Sequence, residues 1–495
     1  MGLPDLYPAQ VGSPYTTLAA SYTTGAATMT VVDATKLPDA PNIVCLAGSV
    51  SGEFRYTGKD GNILQGVAEL PGTPSATWPA GTYAFRGIAA YDTNALQTRT
   101  MFATAPDLPN RVVYETDVTG NTLEIHQVYI PLFSGDGLPD VNLNGVLFGD
   151  IWFDKYFACQ PDASNVSRGS VSANAPGTNG AASKPHVVPW TDINWSNAKL
   201  AIENRGGAAN RKSGTCTPLA EASASKFYVG DVTDLIGKRV YVTQAGVRYV
   251  RRVVRTGGNT TADPDAAKLL ELYPALPAPI TDADTYEILH HYLPGGYEWA
   301  SLYAWAYMNL YRHGLEWPKG NTNWGKFHGD PRERVYEGIP DPVRPGYDGN
   351  AIARTLTGSG PLSWSLNGKE SGIRDLVGNC WEWCDLLVGT VADNTIDAKY
   401  PGAGHVLPAT NGNVASLYAP EPDGEHSLGA EVFVPATIGS SKADYDRAYY
   451  WQDTGQRVAV RGADWGLGAY CSLASLCVSS APSHTSASLG FRGVC

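Results

Sequence analysis

The chain has 495 residues, a net charge of -12 and 43% hydrophobic content, enough apolar material for well-buried cores and, at this length, for about three domains. Its acidic balance and lack of long basic clusters argue against a nucleic-acid partner, whose binding rests largely on Lys and Arg neutralising phosphates. It has no apolar run of about twenty residues and no charged-then-apolar leader, so neither a membrane span nor a secretory signal is expected.

The first hundred residues read as all-β. Ala27–Val32 and Asn42–Leu46 are short, β-branched and bounded by turn residues. A hairpin is expected next, with Glu53–Thr57 and Ile63–Val67 flanking Lys59-Asp60-Gly61-Asn62, because Asp-Gly supplies the positive φ angles of a tight turn. The run from Val32-Asp33-Ala34 through Tyr56-Thr57-Gly58-Lys59 and Trp78-Pro79-Ala80-Gly81-Thr82 to Ala90-Tyr91-Asp92 resembles an N-terminal module common in phage tail and baseplate proteins. Residues 1–107 are therefore expected to form a β-rich virion-attachment module.

Further along, Asn174 to Ser183, rich in Gly, Ala and Asn, reads as a surface loop. A helix is expected from Trp195 to Arg205, with Trp195, Ala198, Ala201 and Ile202 as its apolar stripe, Asn194 as its cap and Gly206 at its end. Residues 220–288 read as an inserted β-module, with strands at Lys226–Val229, Lys238–Val242 and Val247–Arg255. The arginines of the last strand suggest a solvated sheet face, or one turned to an acidic glycan or a neighbouring subunit. A second helix follows, where Trp299, Leu302, Tyr303, Ala306 and Leu310 recur at helical spacing before Gly314. His290-His291 reads as surface or interface rather than as a ligand pair.

The eight cysteines (Cys45, Cys159, Cys216, Cys380, Cys384, Cys471, Cys477 and Cys495) are scattered through a long chain, which points to buried thiols rather than to a disulfide framework. Cys380 and Cys384 flank Trp-Glu-Trp at a spacing that does not fit a zinc ribbon. There is no Gly-rich phosphate loop with a Lys, no Gly-x-Ser-x-Gly and no His-Glu-x-x-His.

The last stretch has a peculiar alphabet. From Ala463 to Leu489, in a segment framed by Arg461-Gly462-Ala463-Asp464-Trp465 and Gly490-Phe491-Arg492, the chain uses Ala, Ser, Gly, Leu, Val, Cys, Tyr, His, Thr, Asp, Pro and one Trp, but no Lys, Arg, Glu, Gln, Met or Asn. In a chain with 17% charged residues this is not an ordinary solvated loop, and Ser-rich linkers do not carry Tyr, Trp, Leu and Cys.

Upstream, Ser371-Gly372-Ile373-Arg374-Asp375-Leu376-Val377-Gly378-Asn379-Cys380-Trp381-Glu382-Trp383 resembles the signature of the formylglycine-generating-enzyme (sulfatase-modifying factor) branch of the C-type lectin fold. Arg461 to Trp465 and Gly490 to Arg492 resemble that branch's terminal strands. Phe153-Asp154-Lys155-Tyr156, Val188-Pro189-Trp190 and Tyr297-Glu298-Trp299-Ala300 agree with its earlier elements. Within the branch, Thr357 to Gly368 resembles phage members among the variable proteins of diversity-generating retroelements, in which adenines of a copied template are randomised. Asn codons then become a set of residues that lacks Lys, Glu, Gln, Met and Trp, and the terminal alphabet fits that set with Trp465 template-fixed.

The resemblance implies an α+β C-type lectin fold in residues 108–219 and 289–495, interrupted by the insert, with a variable region over about 461–492. It implies a phage or prophage tail receptor-binding protein, a viral protein made in the bacterial cytoplasm, carried on the virion and assembled as a homotrimer. Its partners would be a host cell-surface receptor, protein or glycan, and phage tail or baseplate proteins. The variable, ligand-binding positions would be Asp464, Gly466, Leu467, Tyr470, Cys477, Ser479, Ser480, His484, Ser486 and Ser488, with Cys471, Ser472 and Ala474 beside them. Trp381, Glu382, Trp383, Arg461, Gly462, Trp465, Gly490, Phe491 and Arg492, together with Ala481-Pro482, would form the scaffold, with Glu382 bonding the backbone of the variable segment.

Catalysis is not expected. Alignment on the terminal strands puts the branch's two active-site cysteines at Gly466 and Cys471, so the thiol pair that holds copper in its aerobic enzymes is broken. Gln160-Pro161-Asp162 and Trp190-Thr191-Asp192 mimic the calcium-binding triplets of sugar-binding lectins but fall too early in the chain. No cofactor is expected beyond a cation held for structural reasons by the acidic surface. Two alternatives stay open at this point, a formylglycine-type oxidase and a non-viral bacterial surface lectin or adhesin.

Overall fold

Short β-branched stretches and turn residues build most of the regular structure as β-sheet, with few helices. The computed structural model describes residues 15–86, 105–134, 138, 146–257, 268–328, 338–343, 353–389, 394–418 and 433–495, apart from residues 38, 39, 41, 48–50, 70–72, 74, 231, 233, 234 and 236. Among these, no helix is long and apolar enough to cross a membrane.

In the N-terminal part, one sheet places Tyr15–Thr17, Tyr83–Arg86, Asn42–Ala47, Ser51–Tyr56 and Ala68–Glu69 side by side. Its inward residues gather around Tyr22, Phe54 and Trp78, whose rings meet edge-on at 5.0 and 5.2 Å about Phe54. The expected hairpin forms with tighter strands than the pattern suggests. Gly58–Asp60 pairs with Ile63–Gln65 across Gly61-Asn62, while Ser51–Tyr56 pairs with Asn42–Ala47 instead. Asn62 explains the shift, because its side chain donates to Val32 O (2.8 Å) and accepts from Ala34 N (3.0 Å), fixing the turn to a neighbouring segment. The Ala90-Tyr91-Asp92 part of the tail-like run lies outside the described residues.

The first long helix, α1 (Trp195–Glu203), starts where Asn194 accepts a hydrogen bond from Asn197 N at 2.9 Å and ends before Gly206, whose φ is +67°. The second, α2 (Gly296–Asn309), begins with Glu298 accepting from Gly295 N at 2.7 Å and is buried on every side over its first three turns. Both helices pack on the strand Trp381–Val388, itself buried along its whole length.

That strand belongs to a terminal sheet ordered Val434–Gly439, Gly412–Tyr418, Tyr449–Gln452, Leu476–Ser480, Arg457–Arg461, Trp381–Val388 and Leu489–Gly490. Two of its pairings are parallel, Tyr449–Gln452 with Leu476–Ser480 and Trp381–Val388 with Leu489–Gly490. A smaller sheet holds Asn110–Thr116, Thr122–Ile130 and Ile151–Asp154, and Val494 bridges Phe153 and Tyr292, so the end of the chain closes on the start of this region.

The expected insert is a seven-stranded sheet that also takes in Arg211–Thr215 and Thr217–Pro218, ahead of residue 220, along with Leu269–Tyr273 and Thr285–Leu289. Strand alternation gives it two apolar faces. Val240, Val242 and Val253 join the sheet's own core, whereas Tyr241 and Val250 join the main one. The arginines of Val247–Arg255 divide, with Arg255 exposed and Arg248 half-buried, while others turn inward rather than to solvent or an outside ligand. Arg239, Arg251 and Arg252 are buried, Arg239 bonds Asp385 and Glu298 (3.0 and 2.7 Å), and Arg252 lies 3.1 Å over the ring of Tyr297 on α2. The sheet is thus bound to the main body by buried charge.

The seven described cysteines, Cys159, Cys216, Cys380, Cys384, Cys471, Cys477 and Cys495, are free and buried, in keeping with dispersed thiols.

Candidate functional site

The terminal segment begins as a turn that leaves the end of Arg457–Arg461. Gly462 has φ +84°, and a Cβ there would stand 2.7 Å from Leu376 O, so the position requires glycine. Ala463 follows at φ +69° and is fully buried. Trp465 turns inward to Phe157, Ala353 and Cys380, while its carbonyl accepts from Trp324 N at 2.8 Å. A short 3-10 turn at Gly468–Tyr470 leads into the strand Leu476–Ser480, and a loop then returns to Leu489–Gly490.

The scaffold residues are all buried: Trp381, Glu382, Trp383, Arg461, Gly462, Trp465, Gly490, Phe491 and Arg492. Trp383 donates to Ile193 O at 2.9 Å. Arg461 donates to Phe433 O and Ala474 O. Glu382 does not bond the backbone of the variable segment. Its carboxylate is clasped by the guanidinium of Arg492 at 2.5 and 2.6 Å, and Arg492 also donates to Asp154 O and Arg374 O. The paired side chains therefore tie the end of the chain to the Trp-Glu-Trp strand and to Ile151–Asp154 at once. Ala481 and Pro482 are half-buried, less enclosed than scaffold residues should be.

The filling between those anchors divides. Gly466, Tyr470, Ser479 and His484 are exposed, and Asp464, Leu467, Ser480, Ser486 and Ser488 are half-buried. Cys471, Ser472, Ala474 and Cys477, expected among the outward positions, are buried instead. Cys471 Sγ is tucked 3.5 Å from Asp464 O, and burial pushes its thiol pKa up. Ser472 bonds Tyr445 O and Ser475 Oγ (3.5 and 3.2 Å), and Ala474 lies where Arg461 reaches its carbonyl. Cys477 sits in a strand with neighbours on both sides and contacts Ser479 Oγ at 2.9 Å.

The accessible positions are linked around Trp381. Ser488 O accepts from Trp381 N at 2.8 Å, Ser488 and Ser486 share a 3.1 Å hydroxyl contact, and Asp464 accepts from Gly466 N at 2.9 Å. Burial raises the Asp464 pKa against the hydrogen bonds from Gly466 and Ser488. From Trp381 a run of rings leads outward to Trp451 (5.3 Å), Tyr449 (4.7 Å) and Tyr470 (4.6 Å). Tyr449, Trp451 and Trp324 were not legible as site residues, since only the parallel pairing of Tyr449–Gln452 with Leu476–Ser480 and the turn at Trp465 bring them there. The segment thus brings together aromatic rings, hydroxyls and the Asp464 carboxylate, groups suited to contact and hydrogen bonding.

The early triplets brace a loop. Gln160 exchanges two hydrogen bonds with the backbone of Val171 (2.7 and 2.8 Å), Asp162 accepts from Ser170 N (2.9 Å), and Asp192 pairs with Arg168 (2.8 Å). His290 is exposed as expected of a surface residue, but His291 is fully buried.

No protein-family model matches the chain, and no curated protein does. Among solved structures, Treponema denticola variable protein 1 is 13% identical, with 78% of this chain and 98% of that one covered at a TM-score of 0.29. The Major Tropism Determinant P3c variant and U1 variant are each 12% identical, with 96% of this chain and 83% of theirs covered, at TM-scores of 0.19 and 0.18.

Proposed function

We propose that the chain is a binding protein, a phage or prophage tail receptor-binding protein whose C-terminal surface is diversified by a retroelement and attaches the particle to its host. One observation carries this reading. Within a single segment, Arg461, Gly462, Trp465, Phe491 and Arg492 are buried while Gly466, Tyr470, Ser479 and His484 are exposed, so outward side chains can vary at little cost in stability. The motifs around Trp381 and Arg461 suggest a C-type lectin fold for residues 108–219 and 289–495, and residues 1–107 would anchor the chain to tail or baseplate proteins on the virion. Synthesis would take place in the bacterial cytoplasm. Binding rather than catalysis is the role, because Gly466 replaces one of the two thiols that an oxidase of this type would need.

The test is the combined replacement of the exposed Tyr470 and His484 by Ser in the full chain. Adsorption to the cells bound by the parent chain should vanish while the melting temperature stays within about 4 °C, as exposed substitutions cost within about 0.5 kcal/mol each. Retained adsorption, or an unfolded variant, would refute the assignment of this surface.

A further inference from the structure

Away from the terminal segment, Glu115, His290 and His291 each offer a donor atom, and the three atoms lie within 4.8 Å of one another. Glu115 stands on the strand Asn110–Thr116 of the main body, whereas the histidines directly follow Thr285–Leu289, the last strand of the inserted sheet. Their backbone is fixed, as His290 N donates to Asn210 O at 2.8 Å and His291 N to Asn210 Oδ1 at 2.7 Å. Glu115 turns both oxygens to His291 Nε2, Oε1 at 2.9 Å and Oε2 at 2.8 Å. His291 is 0% exposed and its Nδ1 has no hydrogen-bond partner.

A simple histidine-carboxylate contact leaves this arrangement poorly satisfied. Neutral His291 has a single Nε2 proton for two carboxylate oxygens, and Glu115 Oε2 stays buried without a hydrogen-bond partner. The nearby Arg205 is already neutralised by Asp154, which it grips at 2.9 and 2.6 Å.

We propose that Glu115, His290 and His291 bind one divalent transition-metal ion of the zinc class at the seam between the inserted sheet and the main body. Two imidazoles and a carboxylate suit such an ion, whose bonds to these donors are about 2.0 to 2.2 Å long, and do not suit Mg2+ or Ca2+, which prefer all-oxygen shells. The donors come from two sheets, so the ion would act as a clasp, with solvent reaching it past the exposed His290. The inference is independent of the receptor-binding reading.

The full chain, stripped with EDTA and dialysed, is titrated with Zn2+ in a calorimeter and with Co2+ in a spectrophotometer. About one equivalent should bind with micromolar or tighter affinity, and the melting temperature should rise with added Zn2+. His290→Ala and Glu115→Gln should each weaken binding by about tenfold or more and bleach the visible absorption of bound Co2+. His290→Ala alters an exposed residue, so circular dichroism should show an intact fold and leave the affinity change interpretable. No saturable uptake, or uptake indifferent to both substitutions, would overturn the site.

Discussion

Trp465 and Tyr470 belong to one loop and face opposite ways. Trp465 is 6% exposed against Phe157 and Cys380, and Tyr470 is 49% exposed beside Tyr449. Trp465→Ala should therefore cost roughly 3 to 5 kcal/mol of unfolding free energy, as large aromatic truncations in cores do. Tyr470→Ser should cost within about 0.5 kcal/mol. Urea denaturation of the two variants measures both, and equal losses would contradict the division into frame and filling. Sequence alone separated these two residues correctly but misjudged Cys471, Ser472, Ala474 and Cys477. A restricted alphabet records which residues are allowed at a position, and Cys, Ser and Ala fit a tight interior as readily as a surface. Which of them turn inward depends on the 3-10 turn at Gly468–Tyr470 and on the strand neighbours of Cys477.

At the scale of elements, the inserted sheet and the main body meet at Asp385. This fully buried carboxylate on the Trp-Glu-Trp strand accepts from Lys199 of α1 (2.9 Å), from Arg239 and Tyr241 of the inserted sheet (3.0 Å each) and from Tyr400 (3.0 Å). Burial alone would raise its pKa, but Lys199 and Arg239 outweigh it and hold the group at about 2. The folded pKa lies below the unfolded value of about 3.9, so the contribution is present above about pH 4 and is lost as pH falls through 2. Such a depression is worth on the order of 2 to 3 kcal/mol. Unfolding free energy followed between pH 6 and 2 should fall more steeply for the parent chain than for Asp385→Asn, by roughly that amount, while the variant is weaker at pH 6. Matching acid limbs would refute the role given to Asp385. The strands of the insert were legible from alternation, and both helices from their stripes and from Asn194 and Gly314. The inward turn of Arg239 and Arg252 was not, because an arginine-rich strand looks the same in sequence whether its partners are water or buried carboxylates.

For the whole molecule, the N-terminal core around Phe54 and Trp78 is separate from the main core. Weak receptor contacts gain from linked copies, and light scattering at micromolar concentration should give three chain masses. A monomer would remove that expectation without touching the fold. The central claim is that a fixed frame carries a freely variable binding surface. Its most direct measurement is the folded fraction of two libraries of the full chain. One randomises Asp464, Gly466, Leu467, Tyr470, Ser479, Ser480, His484, Ser486 and Ser488, and the other randomises Arg461, Gly462, Trp465, Gly490, Phe491 and Arg492. Most members of the first library should remain soluble with a cooperative melt near that of the parent, and few of the second should. Equal losses in the two libraries, or a first library that mostly unfolds, would contradict it.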